Sequence, residues 1–348
     1  MRILVTGGVG YIGLHTCIEL LNSGHSVIVI DNLSNSKLES LQHVADITSL
    51  NLNIDNSIIG TEENLVFIKA DIRDYEKLKR VFDIYPIDFV FHFAGKKSPK
   101  ESIVQPLDYY HNNVFGSLVL LQVMRSAEVK NIIFSSSATI YGDTDILPIK
   151  ESSQPKPTNP YGKSKAHIEQ MLHDIYLSDD EWSIAILRYF NPIGAHKCGK
   201  IGDQPIGDSN NLLPVINKVV SGEINELLVY GGNYNTHDGT GIRDYIHVVD
   251  IANGHLAALK YLLSDDNSSI ITLNLGTGAG YSVLEVILAY EKVSGRKIPY
   301  KITEPREGDV AQSFADPSYA QELLSWECQF NLEKMCEDSW NFQKNQKP

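Results

Sequence analysis

The chain has 348 residues, enough to bury a large core and to form roughly two domains, or one large unit with a lobe. Thirty basic and 43 acidic side chains leave a formal net charge of −13, which argues against non-specific binding to nucleic acid or an anionic membrane while permitting a local basic pocket for a phosphorylated ligand. The four cysteines, Cys17, Cys198, Cys328 and Cys336, include no C-x-x-C pair, so neither a disulfide framework nor a metal site is expected.

No stretch approaches the length of a membrane span, and the apolar run within Met1–Gly7 is too short for a signal peptide. The expected location is the cytoplasm. Ile3-Leu4-Val5 is a β-prone run that stops at Thr6-Gly7-Gly8-Val9-Gly10-Tyr11-Ile12-Gly13, after which Ile12, Cys17, Ile18, Leu20 and Leu21 follow a helical period closed by Gly24. Val27 to Ile30 is a second strand ending at Asp31. Two glycine registers fit the turn, Gly8-Gly10-Gly13 and Gly7-Gly10-Gly13. Either gives a tight turn, close backbone approach to a pyrophosphate and a helix N-terminus aimed at its charge. Asp31, 18 residues after Gly13, is placed to accept from a ribose 2′-hydroxyl and to repel a 2′-phosphate, which favours NAD over NADP.

Leu38, Leu41 and Val44 predict a short helix, and Ile47 to Glu63 reads as a polar surface excursion. Leu65 to Ile68 is a strand leading to Asp71-Ile72, and Tyr75 to Ile84 is a helix ending before Pro86. Asp88 to Phe93 is a strand that runs into Ala94-Gly95-Lys96-Lys97. Pro106 to Ala127 reads as one long helix, and Asn131 to Phe134 as a strand ending in Ser135-Ser136-Ser137. A proline-rich loop from Leu147 to Pro160 delivers a helix from Tyr161, and Ser183 to Leu187 is the next strand. This alternation predicts an α/β fold, a doubly wound parallel Rossmann sheet with right-handed crossovers.

After Asn191-Pro192 the texture changes. Ile193 to Asn211 reads as a loop, Leu212 to Val220 as a helix, Leu227 to Tyr230 as a strand, and Tyr234 to Gly241 as turns. Val248 to Leu263 is a helix, and Ile271 to Leu275 is a strand able to return to the main sheet. Gly276-Thr277-Gly278-Ala279-Gly280 looks like a second nucleotide turn but lacks an acid-ended strand after it, so a structural loop is expected. The expected division is a dinucleotide-binding domain at 1–190, with about 245–276 packing on it, and a smaller substrate lobe at 191–348.

Tyr161 and Lys165 stand four residues apart, on one helix face about one turn from each other. A phenol has an ordinary pKa near ~10 and is a poor base at neutral pH; a fixed ammonium beside it favours the phenolate. In isolation such a pair is usually an ordinary helix face. In this chain it occurs in order with the glycine turn, Asp31-Asn32, Phe93-Ala94-Gly95, Ser135-Ser136-Ser137-Ala138-Thr139 and Arg188-Tyr189-Phe190-Asn191-Pro192. On these motifs the chain resembles the extended short-chain dehydrogenases/reductases. Asn210-Asn211-Leu212, Gly239 to Val248 and Arg306-Glu307-Gly308-Asp309 make it similar to the UDP-glucose (UDP-galactose) 4-epimerases within that family, over nearly the whole length.

The resemblance implies tightly held NAD+, with Tyr161 as phenolate taking the sugar O4 proton while C4 gives its hydride to the nicotinamide. It implies that Lys165 lowers the phenol's pKa and holds the nicotinamide ribose, and that Ser137 binds the sugar oxygen. The 4-keto sugar then turns its other face, and the returning hydride inverts C4. Cofactor contacts are implied for Gly7, Gly10, Tyr11, Ile12, Gly13, Asp31, Asn32, Asn35, Ser36, Asp71, Ile72, Phe93, Ala94, Gly95, Lys97, Asn112, Tyr161, Lys165 and Phe190. Contacts to a UDP-sugar are implied for Ser137, Asn191, Asn211, Leu212, Tyr230, Arg243, Arg306 and Asp309. Arginines suit a diphosphate, and an aspartate suits ribose hydroxyls; the bland alternative for Arg243 is an ion pair with Asp244. Ser135 and Ser136 read as small residues ending a strand, and the histidines as structural.

Two departures from the family pattern stand out. The 47–63 excursion is longer than usual. Ser313 falls where the resemblance implies either a bulky tyrosine or a small residue beside the sugar C2 group, and a serine leaves room for an N-acetyl group. The resemblance also implies a homodimer through the helices at 106–127 and 161–177. Related 4,6-dehydratases need an acid pair after the serine, where this chain has Ala138-Thr139. A uronate epimerase or decarboxylase stays open as an alternative. A catalytically inactive NAD-sensing protein would be expected to have lost Tyr161 or Lys165, and both are present.

Overall fold

Short β-branched runs buried on both faces, joined by amphipathic helices, have one stable arrangement: a parallel sheet with helices over each side. A computed structural model describes residues 1–54, 64–144, 146–206, 211–264, 268–306 and 309–346. It contains β1 (Arg2–Thr6), α1 (Tyr11–Asn22), β2 (Ser26–Asp31), α2 (Leu38–Thr48), β3 (Asn53–Ile54), β4 (Leu65–Lys69), α3 (Tyr75–Ile84) and β5 (Phe89–His92). Next come α4 (Pro99–Val104), α5 (Pro106–Tyr109), a π-helical turn (Tyr110–Phe115), α6 (Gly116–Ser126), β6 (Asn131–Ser137), a 3-10 turn (Ala138–Tyr141), α7 (Pro160–Ser178) and β7 (Ser183–Tyr189). The remainder holds β8 (Asn191–Ile193), α8 (Leu212–Ser221), β9 (Leu227–Tyr230), β10 (Ile242–His247), α9 (Val248–Ser264) and β11 (Ile270–Leu275). It ends with β12 (Gly280–Ser282), α10 (Val283–Ser294), β13 (Tyr300–Thr303), β14 (Gln312–Ser313), α11 (Ser318–Leu324) and α12 (Leu332–Asn345).

The chain divides into two compact units. The first comprises Met1–Gly142, Gln154–Arg188 and Ala252–Leu273; the second comprises Asp143–Ser153, Tyr189–Ile251 and Asn274–Pro348. Unit 1 is built on a sheet of order β11-β7-β6-β5-β1-β2-β4-β3. β1 pairs in parallel with β2 on one side and β5 on the other, so the strand order reverses there and opens a crevice at the strands' carboxyl ends. On one face Leu4, Ile28, Val66, Val90, Ile132 and Ile184 of the strands pack with Leu78, Val81, Leu120, Met124, Ile168 and Leu172 of α3, α6 and α7. The α3 helix starts where the Asp74 carboxylate accepts from Lys77 N and ends at Tyr85, before Pro86.

Unit 2 has its own core, in which Leu213, Ile216, Val229, Tyr245, Val286, Tyr290 and Met335 meet. β10 is its central strand, parallel to β8 and β14 and antiparallel to β12. Among the described residues no helix is long and apolar enough to cross a membrane.

Several elements differ from the sequence expectations, the short strands β8, β12, β13 and β14 among them. The polar excursion is not all loop: Ile47 and Thr48 finish α2, and Asn53 and Ile54 form an edge strand against Val66 and Phe67. Residues 55–63 lie outside the described residues. The predicted single helix at 106–127 is broken in character by the π-helical turn at Tyr110–Phe115. A separate helix, α4, begins at Ser98-Pro99, where Ser98 accepts from Glu101 N. Finally β10 falls between the predicted turns ending at Gly241 and the helix starting at Val248, where no element was expected, because Arg243 and Asp244 interrupt its apolar pattern.

Asp244 explains the second glycine-rich stretch. Its buried carboxylate accepts from Thr277 N (2.9 Å), Thr277 Oγ1 (2.6 Å), Gly278 N (3.0 Å) and Ala315 N (3.1 Å). The stretch wraps a carboxylate of the chain itself rather than a phosphate. Asp244→Ala strands those donors in the interior and should cost about 3 kcal/mol or more, seen as a lower urea midpoint; an unchanged midpoint would contradict the assignment.

Candidate active site

The turn after β1 is closed by contacts only glycine permits. Gly7 sits at φ +69°, and a Cβ there would lie 2.6 Å from Ala94 N; a Cβ on Gly13 would lie 2.6 Å from Gly7 O. The helix α1 starts directly from this turn, and its N-cap, Gly10, offers no side-chain hydrogen bond to the first-turn N–H groups. Those groups and the helix dipole make an anion site. At the end of β2 the Asp31 carboxylate accepts from Leu33 N (2.8 Å), Ser36 Oγ (3.0 Å) and Val9 N (3.2 Å), the last from the glycine turn itself. Burial pushes Asp31 above the ordinary carboxylate value, and these three donors oppose that shift. A tight turn, an uncapped helix start and a fixed carboxylate acceptor beside them fit the phosphates and ribose of a dinucleotide.

Neighbouring candidates gather at the same sheet edge. Asn32 donates to Asp71 Oδ2 (2.9 Å), and Arg73 clamps Asp71 through Nε and Nη2, both at 2.7 Å. The guanidinium holds the Asp71 carboxyl well below the usual range. Ile72 is buried beside them. Ala94 N reaches Thr6 Oγ1 at 3.4 Å, the Phe93 ring centroid lies 4.8 Å from that of His255, and Lys96 N donates to Asn113 Oδ1 (2.8 Å) and Asn112 Oδ1 (3.2 Å). Tyr11 is buried at the start of α1, followed by half-buried Ile12; Asn35, Gly95 and Lys97 are exposed.

The reactive pair stands on α7, whose first turn is set by Asn159 accepting from Gly162 N (2.9 Å) and by Pro160 at its first position. Ser137 lies beside the Tyr161 hydroxyl, its own hydroxyl bonded with Thr139 Oγ1 at 2.9 Å and accepting from Thr139 N at 3.2 Å, and the Tyr161 ring meets that of Tyr109 edge-on at 6.5 Å. Lys165 Nζ donates to the Ser135 carbonyl at 2.5 Å and lies 4.7 Å from the Phe134 ring centroid. Burial pushes the Lys165 ammonium down to about 8, with the Glu169 carboxylate opposing. Burial also raises Tyr161 above the ordinary phenol value, with Ser137 opposing. In the protein alone the ammonium is engaged by a carbonyl, so the depression of the phenol expected from sequence requires further positive charge.

Sequence reasoning missed the groups beneath this pair. Ser136 Oγ donates to Glu169 Oε1, and Arg188 grips the same carboxylate through Nε (3.1 Å) and Nη2 (2.6 Å). Arg188 Nη1 donates to Tyr141 Oη at 2.9 Å. Ser136 was read as a small strand-ending residue, whereas it is a hydrogen-bond donor to a buried ion pair. The available signal was Glu169 one further turn along the Tyr161–Lys165 face.

Unit 2 gathers a second set. Arg243 on β10 has Tyr281 of β12 and Ser313 of β14 as its cross-strand neighbours, so the three side chains share a face. Arg243 Nη2 lies 3.9 Å from Asp309 Oδ1, while Asp244 is committed elsewhere, which removes the bland Arg243–Asp244 ion pair. The Arg306 guanidinium stacks on the Tyr230 ring at 3.9 Å. Tyr234, passed over as a turn residue, feels Asp309, Arg243 and Arg306 together, so it belongs to this cluster. Asn191 on β8 is paired with Tyr245, the N–H of buried Phe190 donates to Leu275 O (3.1 Å), and Asn211 and Leu212 open α8. Asn210, Glu307 and Gly308 lie outside the described residues. Among the described residues no group of three His, Cys, Asp or Glu could hold a metal ion.

Residues 3–276 match the family described as the NAD dependent epimerase/dehydratase family. The chain is 49% identical over 345 residues to the UDP-glucose 4-epimerase of Bacillus subtilis, covering 99% of this chain and 97% of that one. It is 48% identical over 350 residues to the UDP-glucose 4-epimerase of Homo sapiens, covering 99% and 96%. The crystal structure of UDP-glucose 4-epimerase from Bifidobacterium longum in complex with NAD+ and UDP superposes with a TM-score of 0.92 at 47% identity, covering 99% of each chain. A glycine turn with its strand-end acid, a tyrosine beside a serine and one turn from a buried lysine, and a match spanning most of the sequence lead to one conclusion: the chain belongs to the NAD dependent epimerase/dehydratase family.

Proposed function

We propose that the protein interconverts UDP-galactose and UDP-glucose by inverting the sugar at C4, with NAD as its resident cofactor. The observation that carries this reading is buried Lys165 one turn from Tyr161 on α7, with Ser137 beside the phenol, in a unit whose sheet edge also holds a dinucleotide turn. NAD+, when bound, supplies the hydride acceptor and donor together with a positive charge. Gly7, Gly10, Tyr11, Ile12 and Gly13 would hold its pyrophosphate, and Asp31, Asn32, Asn35 and Ser36 its adenosine ribose. Asp71, Ile72, Phe93, Ala94, Gly95, Lys97, Asn112 and Phe190 would line the rest.

In this reading Tyr161 is the general base toward the sugar O4 proton and returns that proton on the way back. Ser137 orients the same oxygen. Lys165 supplies the fixed positive charge that favours the phenolate. Because burial alone lifts the Tyr161 phenol, the base needs both Lys165 and the cofactor's charge, which ties proton removal to hydride transfer. Arg243 and Arg306 are assigned to the diphosphate, Asp309 to ribose hydroxyls, Tyr230 to the uracil face, and Asn191, Asn211 and Leu212 to the remainder of the UDP-sugar.

Ser313 is assigned to the wall beside the sugar C2 group. The support is its place opposite Arg243 in the β10–β14 register, with a side chain smaller than tyrosine. We therefore extend the substrate range to UDP-N-acetylglucosamine and UDP-N-acetylgalactosamine. We also assign the protein to the cytoplasm as a homodimer. Val104, Leu107 and Leu177 are 76%, 80% and 82% exposed, and Phe115 and Leu118 are exposed with them on the predicted helices or next to them.

Three outcomes follow. Purified protein incubated with UDP-galactose should form UDP-glucose, and Tyr161→Phe should lose at least about 100-fold in kcat while retaining NAD absorbance; undiminished turnover overturns the base assignment. Wild type should also turn over both N-acetylated sugars, and Ser313→Tyr should suppress those at least tenfold while sparing the plain hexoses; a wild type inert toward N-acetyl sugars refutes the wide pocket. In sedimentation at micromolar concentration the protein should run as a dimer and the Leu107→Glu/Leu118→Glu variant as a monomer, and a monomeric wild type rules this interface out.

A further inference from the structure

Three consecutive serines end β6, and each meets α7 in a different way. The Ser135 carbonyl receives Lys165 Nζ, the Ser136 hydroxyl donates to Glu169, and the Ser137 side chain lies beside the Tyr161 hydroxyl. Their partners at positions 161, 165 and 169 fall on one helix face at intervals of one turn. The strand end therefore meets the catalytic helix at three levels, with Glu169 as the innermost.

Glu169 is not an exposed helix acid. It is 5% exposed, its partner Arg188 is 6% exposed and Ser136 is 1% exposed. A carboxylate is stable there because Arg188 engages both of its oxygens and Ser136 donates to one of them. Arg188 is fixed in turn by Tyr141 Oη (2.9 Å), its guanidinium lying 5.1 Å from the Tyr141 ring centroid. Tyr141 closes the 3-10 turn that leaves β6 directly after Ser137, so the network returns to the same strand end.

We propose that Glu169 is a positioning residue for the proton-transfer pair. It locks Ser137 against α7 through Ser136, and its negative charge sets the protonation balance of Lys165 and Tyr161. The inference rests on the assignment of Tyr161 as the base in the preceding subsection. The charged and titratable groups facing the pair are few. His92 on β5 contributes an imidazole held between Thr6 Oγ1 (2.7 Å) and Ser117 Oγ (2.8 Å), and burial keeps it neutral by pushing it down to about 3. Arg188 approaches from β7, Tyr141 from the 3-10 turn, and Tyr109 from α5 with its hydroxyl donating to Glu101 Oε2 at 2.9 Å. Among these described groups Glu169 is the carboxylate whose field opposes the depression of Lys165.

The sign follows directly. Removing a negative charge disfavours the protonated ammonium and favours the phenolate, so both members of the coupled pair release protons more readily. Glu169→Gln keeps the shape and removes the charge. Tyr161 ionisation is read from phenolate absorbance as wild type minus Tyr161→Phe, then as Glu169→Gln minus Glu169→Gln/Tyr161→Phe, all as NAD-bound protein. The expected result is a midpoint at least about 0.5 pH unit lower in Glu169→Gln, the scale that charges one to two helical turns away exert at an effective dielectric of ~20 or more. The kcat for UDP-galactose should fall at least tenfold with KM within twofold.

An unshifted midpoint, or a kcat within twofold of wild type, overturns the proposal. A merely structural glutamate would lower the unfolding temperature and leave the midpoint in place. Ser136→Ala leaves the ion pair intact and removes its link to the strand, so it carries the test where Glu169→Gln fails to fold. It should lose at least fivefold in kcat without a midpoint shift, and wild-type kcat in Ser136→Ala refutes the lock. The titration needs no turnover. A shifted midpoint in a protein inert toward UDP-galactose would therefore uphold Glu169's role and refute the substrate reading.

Discussion

A buried ammonium governs the architecture of unit 1. Removing a lysine's charge from water costs several kcal/mol, so the interior must supply acceptors fixed before the side chain arrives. For Lys165 these are the Ser135 carbonyl at 2.5 Å, the Phe134 ring at 4.7 Å and the Glu169 carboxylate along the same helix face. The carboxyl end of β6 supplies one such acceptor in the Ser135 carbonyl. The parallel sheet therefore does more than form a core. It presents backbone carbonyls near one edge, among them that of Ser135, and α7 carries Lys165 and Glu169 one turn apart toward them.

Electrostatic provision is divided between the units. Unit 1 keeps most of its candidate groups at the carboxyl ends of β1, β2, β5 and β6, where backbone N–H groups, a carboxylate and an ammonium are held by hydrogen bonds. Unit 2 gathers two of its three arginines, Arg243 and Arg306, in one cluster. One is set into a strand with Asp309 beside it, and the other is laid on an aromatic ring. A net charge of −13 thus coexists with a local cationic site because Asp244, the nearest acid in sequence, is turned inward and satisfied by backbone donors.

Legibility in the sequence follows from how local each feature is. The α3 helix was readable at both ends, since Asp74 caps one and Pro86 forbids the other. The β1 and β2 strands and the turn between β1 and α1 were readable because glycine spacing and apolar runs are short-range patterns. β10 was not, because its half-buried arginine and buried aspartate break the apolar pattern for reasons that lie in β12, β14 and the loop at Thr277. The π-helical turn left no trace in an apolar pattern that runs through it. Helix α4 did leave one, the Ser98-Pro99-Lys100-Glu101 start, but its six residues are too few to show a period. In the site, residue types identified Tyr161 and Lys165 as a pair, whereas Glu169 and Arg188 become visible only when α7 and β7 are brought together.

The strand end Ser135-Ser136-Ser137 shows why residue type alone understates a site. Three identical side chains have three separate duties. The first acts through its carbonyl, which any residue would provide; the second through a hydroxyl aimed inward at a buried carboxylate; the third lies beside the phenol with its hydroxyl bonded to Thr139. Strand pleating separates the inward and outward hydroxyls, because successive side chains point to opposite faces. The inward bond draws the strand against the helix, and the outward side chain then finds the phenol already in place. The strand end and the helix are thus joined on their buried side, through Ser136, Glu169 and Arg188.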